Sequence, residues 1–178
     1  MENRRGKIIV SKAGGTAGAG SKTYKLTLPS SWVSALGLTN RQNVVLSFDG
    51  EVITVRPVQS MKQYLEYRRS QKHEMLIIKY YNATELCTLI YADQTAKDLM
   101  AENYTDRLLK TAFGNKPYPT WQDLESFLEE RCVPRQRDGL NAYLNALGLE
   151  EYEPLDIVRK TKGRMAEDDQ WLEVEMAK

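Results

Sequence analysis

The run Asn43-Val-Val-Leu-Ser-Phe48, followed by Asp49-Gly50 and Glu51-Val-Ile-Thr-Val-Arg56, decides how the first third of this chain folds. Two β-rich runs flank Asp-Gly, the dipeptide that accepts the positive backbone angles of a tight turn, so an antiparallel hairpin is predicted. Upstream, Ser30-Ser-Trp-Val-Ser-Ala-Leu36 is long enough for about two helical turns. Its serines can cap the first amides, and Gly37 suits a left-handed C-terminal cap. Trp32, Ala35 and Leu36 are expected to face a core. Tyr24-Lys-Leu-Thr-Leu28 alternates polar and apolar positions and stops at Pro29, which reads as a half-buried strand. Lys7-Ile-Ile-Val-Ser11 reads as another strand. Between these strands, Ala13-Gly-Gly-Thr-Ala-Gly-Ala-Gly20 has four glycines in eight residues and reads as a loop. A module of about 58 residues built this way buries little apolar surface alone, so a partner chain is expected on physical grounds.

Residues 59–73 are polar and basic and fit either a linker or a short helix. Beyond them, Met75–Tyr81 and Glu85–Tyr91 flank Asn82-Ala-Thr84 and predict a second hairpin, with Cys87 in its core. The apolar period then changes. Spacings of three and four predict helices over Thr105–Phe113 and Thr120–Cys132, the second capped by Thr120 and Asp123 and stopped by Pro134. Two more are predicted over Gln136–Leu147, ended by Gly148, and over Pro154–Thr161, with a closing strand at Trp171–Glu175. The expected fold class is therefore an all-β N-terminal module with one short helix over 1–58, and a small, mostly helical α+β domain over 74–178.

Net charge is near zero, but it is unevenly distributed. Residues 1–60 hold eight basic and three acidic side chains, a net +5, and residues 61–178 hold 17 basic and 21 acidic, a net −4. A basic module suits a polyanion, because phosphate neutralisation dominates nucleic-acid affinity. The 178 residues include no run of roughly 18 apolar residues that a membrane span needs. The first residues lack the apolar run of a signal peptide, so no membrane association and a cytoplasmic location are expected. Cys87 and Cys132 are too few for a disulfide framework and, with His73 the only histidine, supply no metal-ligand spacing. No metal and no cofactor are expected.

Gly15-Thr-Ala-Gly-Ala-Gly20 followed by Lys22-Thr23 approaches the spacing of a nucleotide phosphate loop, but Ser21 intervenes and a strand follows where that motif needs a helix. Flexible ammonium groups at Lys12 and Lys22 would instead track a DNA backbone. No base, nucleophile and orienting group are recognisable together, so no catalytic residues and no enzymatic activity are expected. His73 reads as a solvated surface side chain, and Glu129-Glu130 and Asp168-Asp169 as solvated helix faces or caps. Arg131, Arg135 and Arg137 fall at a helix junction, where guanidinium groups serve either as a fold-locking knot, the favoured reading, or as a contact surface. The acidic residues around them would repel DNA, so the C-terminal module is expected to contact protein.

Lys25-Leu-Thr-Leu-Pro29, then Trp32-Val-Ser-Ala-Leu-Gly-Leu38, then Val44-Val-Leu-Ser-Phe-Asp-Gly-Glu-Val-Ile-Thr-Val55 resembles the AbrB/MazE-like (SpoVT-AbrB) swapped-hairpin DNA-binding family. The resemblance implies an intertwined homodimer whose chains exchange hairpins, with basic residues of the first strand and loop facing DNA. Lys25 falls where that family usually carries a DNA-contacting arginine. The first loop is longer and richer in glycine than usual, and Val33 and Ser34 stand where relatives often have basic residues. The C-terminal module, residues 74–178, resembles uncharacterised proteins of Gram-positive bacteria and their mobile elements, which implies no function.

The expected function is a homodimeric DNA-binding transcriptional regulator, a repressor or antitoxin-like autoregulator. It would contact double-stranded DNA through Arg4, Arg5, Lys7, Lys12, Lys22, Lys25 and Arg41, as a dimer or a tetramer formed through the N-terminal module. The alternative is an inhibitor whose C-terminal module binds a protein target while the N-terminal module dimerises or autoregulates.

Overall fold

A computed structural model of the chain describes residues 3–12, 20–38, 40, 43–48 and 50–177. Two units emerge, residues 1–58 and 59–178.

In the first unit, β1 (Ile8–Lys12) pairs antiparallel with β2 (Lys22–Leu26), from Ile8 opposite Leu26 to Lys12 opposite Lys22. After a short helix, α1 (Ser30–Ala35), β3 (Val44–Phe48) pairs with β4 (Ile53–Pro57), from Val44 opposite Pro57 to Phe48 opposite Ile53. Gly50 takes a positive φ of 108° in the turn between them, while Asp49 lies outside the described residues. The serines do not cap α1. Pro29 is its N-cap, and the Pro29 carbonyl accepts from the amides of Trp32 and Val33, with no side-chain cap bond. None of the described residues of 3–58 is buried: Trp32 is half-buried, and Ala35 and Leu36 are exposed, so the expected helix-facing core is not found within one chain.

In the second unit, β5 (Met75–Asn82), β6 (Glu85–Asp93), β7 (Asp98–Asn103) and β8 (Gln170–Met176) form one antiparallel sheet in the order β7-β6-β5-β8. Four helices accompany it: α2 (Met61–Ser70), α3 (Trp121–Glu130), α4 (Leu140–Leu147) and α5 (Pro154–Thr161). The expected fold class is thereby corrected. The second domain is not mostly helical: the described residues form eight strands and five α-helices, four of those strands and one of those helices in the first unit, and a four-stranded sheet organises residues 75–176. In the first unit, each described ladder joins strands adjacent in the same chain, in two separate two-stranded sheets.

Two local differences account for the sheet-rich outcome. β7 has no counterpart among the expected strands, because Asp98-Leu-Met-Ala-Glu-Asn103 contains no β-branched or aromatic residue; pairing with β6, from Asp93 opposite Asp98 to Thr88 opposite Asn103, imposes the strand. The helix expected over 105–113 is only a 3₁₀ turn at Leu108–Lys110. The Ala112 amide donates to the Thr88 hydroxyl in the sheet, and the Thr111 hydroxyl donates back to the Leu108 carbonyl, so the i→i−4 ladder cannot continue.

Leu76, Ile78, Tyr80, Ile90, Ala92, Leu99 and Leu172 of the sheet pack with Leu124, Phe127, Leu128, Leu144, Ile157 and Val158 of the helices. A register shift after Tyr80 leaves Cys87 as an extra residue between Leu86 and Thr88, so two successive β6 side chains are buried where alternation would bury one. Cys87 and Cys132 are both buried free thiols, and burial raises the pKa of each, as expected of inert core cysteines.

Thr120 and Asp123 form the capping box at the start of α3, and the Lys116 ammonium lies 2.7 Å from Asp123. Burial opposes ionisation of Asp123, but the bonds from Lys116 and Thr120 overcome it and lower its pKa to about 2. A depressed folded-state value means this stabilisation is full above the unfolded carboxylate range of about 4 and is lost as pH falls toward 2. Asp123→Asn should therefore flatten the acid limb of stability against pH between about 4 and 2, followed by circular dichroism.

Gly163, at φ 57°, allows no side chain: a Cβ there would lie 2.6 Å from Leu172 Cδ1 and 3.2 Å from Arg131 Cβ. Gly163→Ala is expected to cost about 1–3 kcal/mol from overpacking, read as a lower urea midpoint.

Candidate nucleic-acid interface

Alternation along β1 and β2 sorts the proposed cations. Opposed residues share a face, so Lys12 and Lys22 lie side by side on the face carrying Ile8, Val10, Tyr24 and Leu26, whereas Lys25 shares the other face with Ile9, Ser11 and Thr23. Lys12 and Lys22 thus face one another across the last pair of the ladder, where the chain enters and leaves residues 13–19. Neither has an acidic partner among the described residues. Directly opposed like charges destabilise a ladder, and a bound anion relieves them.

Arg4 and Arg5 lie upstream of β1, outside any helix or strand. With Leu26, Thr27, Pro29 and Trp32 they line an open cleft of about 360 Å³. Trp32, read from sequence as a core residue, supplies an aromatic wall beside two guanidinium groups, a combination that suits stacking as well as phosphate contact. Lys7 is exposed just before β1. Arg41 and the glycine-rich segment 13–19 lie outside the described residues.

The structure brings together Arg4, Arg5 and Trp32, and separately Lys12 and Lys22. It puts Lys25 on a different face from the second pair. The pairing of Lys12 with Lys22 is a register fact, and β1 and β2 are joined through nine intervening residues whose length alone does not specify it.

Apolar exposure is the other property of this unit. Ile8, Val10, Tyr24 and Leu26 on one ladder are 51–68% exposed. On the other, Val44, Leu46, Phe48, Ile53, Val55 and Pro57 share one face, and Leu46, Phe48 and Ile53 are 67–69% exposed. A stable soluble monomer rarely leaves contiguous apolar faces uncovered.

In the second unit, Arg131 is buried and its guanidinium is fully engaged. Its Nη1 and Nη2 donate to Asp168 at 2.6 and 2.9 Å, Nε donates to the Gly163 carbonyl at 2.9 Å, and Nη2 also donates to the Gln170 carbonyl at 2.9 Å. This is a fold-locking arrangement. The three arginines do not act together: Arg135 is exposed, pairs with Glu129 at 2.6 Å and lies over the Tyr152 ring, and Arg137 lies over Tyr143. Glu129, Glu130, Asp168 and Asp169 are exposed, as expected, but Asp168 is in addition bound to Arg131 and Glu129 to Arg135.

His73 also differs from expectation. Its Nδ1 lies 2.6 Å from Oδ2 of Asp93, which is fully buried and whose Oδ1 accepts from the amides of Thr95 and Ala96. Arg68 of α2 reaches Asp98 at 2.5 Å and approaches Asp93 at 3.4 Å, so α2 is tied to the β6–β7 turn by charge. The carboxylates come from the facing ends of β6 and β7, which sequence periodicity does not connect to residue 73.

Among the described residues, no three His, Cys, Asp or Glu side chains group as a metal ion would require, and no helix is long and apolar enough to cross a membrane. No family model, no curated protein and no solved structure matches this chain.

Proposed function

We propose that the protein is a homodimeric DNA-binding regulator whose first unit, resembling AbrB/MazE-like domains, grips the phosphate backbone. The observation that carries this reading is the Lys12–Lys22 pair, two ammonium groups held opposite one another without a counter-charge among the described residues. A polyanion turns that unfavourable pair into a favourable one, and the net +5 of residues 1–60 supplies the surrounding field. Lysine ammoniums track phosphates without fixed geometry, so backbone contact outweighs base readout at this pair. A second copy of the chain is the proposed cover for the apolar faces of the two ladders. Burying one Leu, Ile or Phe is worth about 1.5–3 kcal/mol, so several together can support a stable dimer. Dimerisation would double the charge presented to DNA.

The test is titration of the full chain into a labelled duplex carrying its own promoter and into a scrambled duplex, with mass measured by light scattering. Expected are a dimer that prefers the promoter, and a monomer with greatly weakened binding for Leu46→Glu, which places a charge on the apolar face of the second ladder. A monomeric wild type, or a dimer that binds neither duplex at low salt, overturns the reading.

A further inference from the structure

We propose that the tip of the loop joining β7 to α3 is a docking wedge for a protein partner whose receiving surface is an apolar pocket rimmed by carboxylates. It stands apart from the DNA reading, since it concerns only the second unit. Leu109 is 95% exposed at the 3₁₀ turn, and Leu108, Tyr104 and Tyr118 are also exposed. Leucines displayed this way cost solvation free energy with no return inside the chain.

The exposure is not that of a loose end. The Tyr104 amide donates to the Cys87 carbonyl at 2.8 Å, the Lys110 amide to the Arg107 carbonyl at 2.8 Å, and the Ala112 amide to the Thr88 hydroxyl at 3.1 Å. Thr111, buried, closes the turn onto the Leu108 carbonyl. The leucines are thus held outward by bonds running to β6, and a preorganised apolar anchor loses little entropy on binding.

Charge selects the occupant. Arg107 and Lys110 bracket the leucines and have no ion-pair partner among the described residues, unlike Lys79, Lys116, Arg131 and Arg135 of the same unit. Even with Asp106 beside them, residues 106–110, which carry the leucines, are net positive, on a unit of net −4. Two copies meeting tip to tip would crowd four cations together, and a phospholipid surface carrying negative charge would repel the rest of the unit. A protein pocket with carboxylates confined to its rim satisfies both the leucines and the cations.

The experiment uses the full chain with Leu108→p-benzoylphenylalanine as photocrosslinker, irradiated in the cells the gene comes from, with adducts mapped by mass spectrometry. Expected is an adduct to another protein at an apolar segment bordered by Asp or Glu. Its yield should fall about thirtyfold with Leu109→Ser or with Arg107→Glu plus Lys110→Glu, the loss typical of a central anchor. The same probe at Tyr67, exposed on α2, should give no such adduct. Unchanged thermal midpoints of the variants separate loss of docking from loss of fold. The proposal is overturned by no adduct, by adducts only between copies of this chain, by a mapped surface without carboxylates, or by yields insensitive to the substitutions. Leu109-dependent sedimentation with phosphatidylcholine–phosphatidylserine vesicles would overturn it in favour of a membrane.

Discussion

Arg131→Ala is expected to destabilise residues 59–178 by about 3–5 kcal/mol, the cost of removing one member of a buried, hydrogen-bonded ion pair. That is a large part of the roughly 5–15 kcal/mol typical of a domain. The reason is the number of groups left behind. Without the guanidinium, Asp168 loses both of its donors from Arg131, and the Gly163 and Gln170 carbonyls lose theirs. Each connects a different element: Arg131 caps α3, Gly163 follows α5, and Gln170 opens β8. β8 pairs with the central strand β5 along seven residues, so loosening its start loosens the sheet. Urea unfolding followed through Trp121 and Trp171 fluorescence measures the loss. Arg135→Ala is the control, because its pair with Glu129 is exposed and should leave the midpoint nearly unchanged. Equal midpoints for the two variants would remove Arg131 from its structural role. The hydrogen bonds from Arg131 hold the Asp168 carboxyl below its usual range, against the opposing effect of burial. This part of the stability is therefore present above about pH 4 and is lost as pH falls through the lowered folded value, and Arg131→Ala should remove that dependence.

Affinity for duplex DNA is expected to drop about a thousandfold between roughly 50 and 200 mM salt. If about six cations of the dimer neutralise phosphates, log affinity falls against log salt with a slope near −5, and a fourfold rise in salt gives the drop. Lys12→Ala plus Lys22→Ala should weaken binding and make the slope shallower, by about one for each phosphate no longer neutralised. Fluorescence anisotropy at several salt concentrations reads both quantities. Lys25→Ala, on the other face of the ladder, is the informative companion. Joint loss with all three substitutions would mean that DNA touches both faces or that the ladder rearranges in the dimer. A slope unchanged by the Lys12 and Lys22 substitutions would move the interface away from the end of the β1–β2 ladder, toward Arg4, Arg5 and Trp32.

Features set by close neighbours along the chain are legible in the sequence. The Thr120–Asp123 cap, Pro154 at the start of α5, Gly148 after α4 and the hairpin about Asn82-Ala-Thr84 each depend on residues within a few positions of one another. The charge asymmetry about residue 60, the exclusion of a disulfide framework and the small size of the first module are likewise open to counting. Tertiary structure alone decided the remainder. Asp98–Asn103 is a strand because β6 supplies its partners, and Leu108–Lys110 stops at one turn because Thr88, 24 residues from Ala112, takes the amide a helix would need. Arg131 finds Asp168 across 37 residues and His73 finds Asp93 across 20, distances over which no period in the sequence links them. Local propensity and caps act through neighbouring atoms, and the sequence by itself determined where most helices and turns fall. Which charges meet, which strands join a sheet and which leucines stay outside depend on the closure of long chain segments, and only the folded chain decided them.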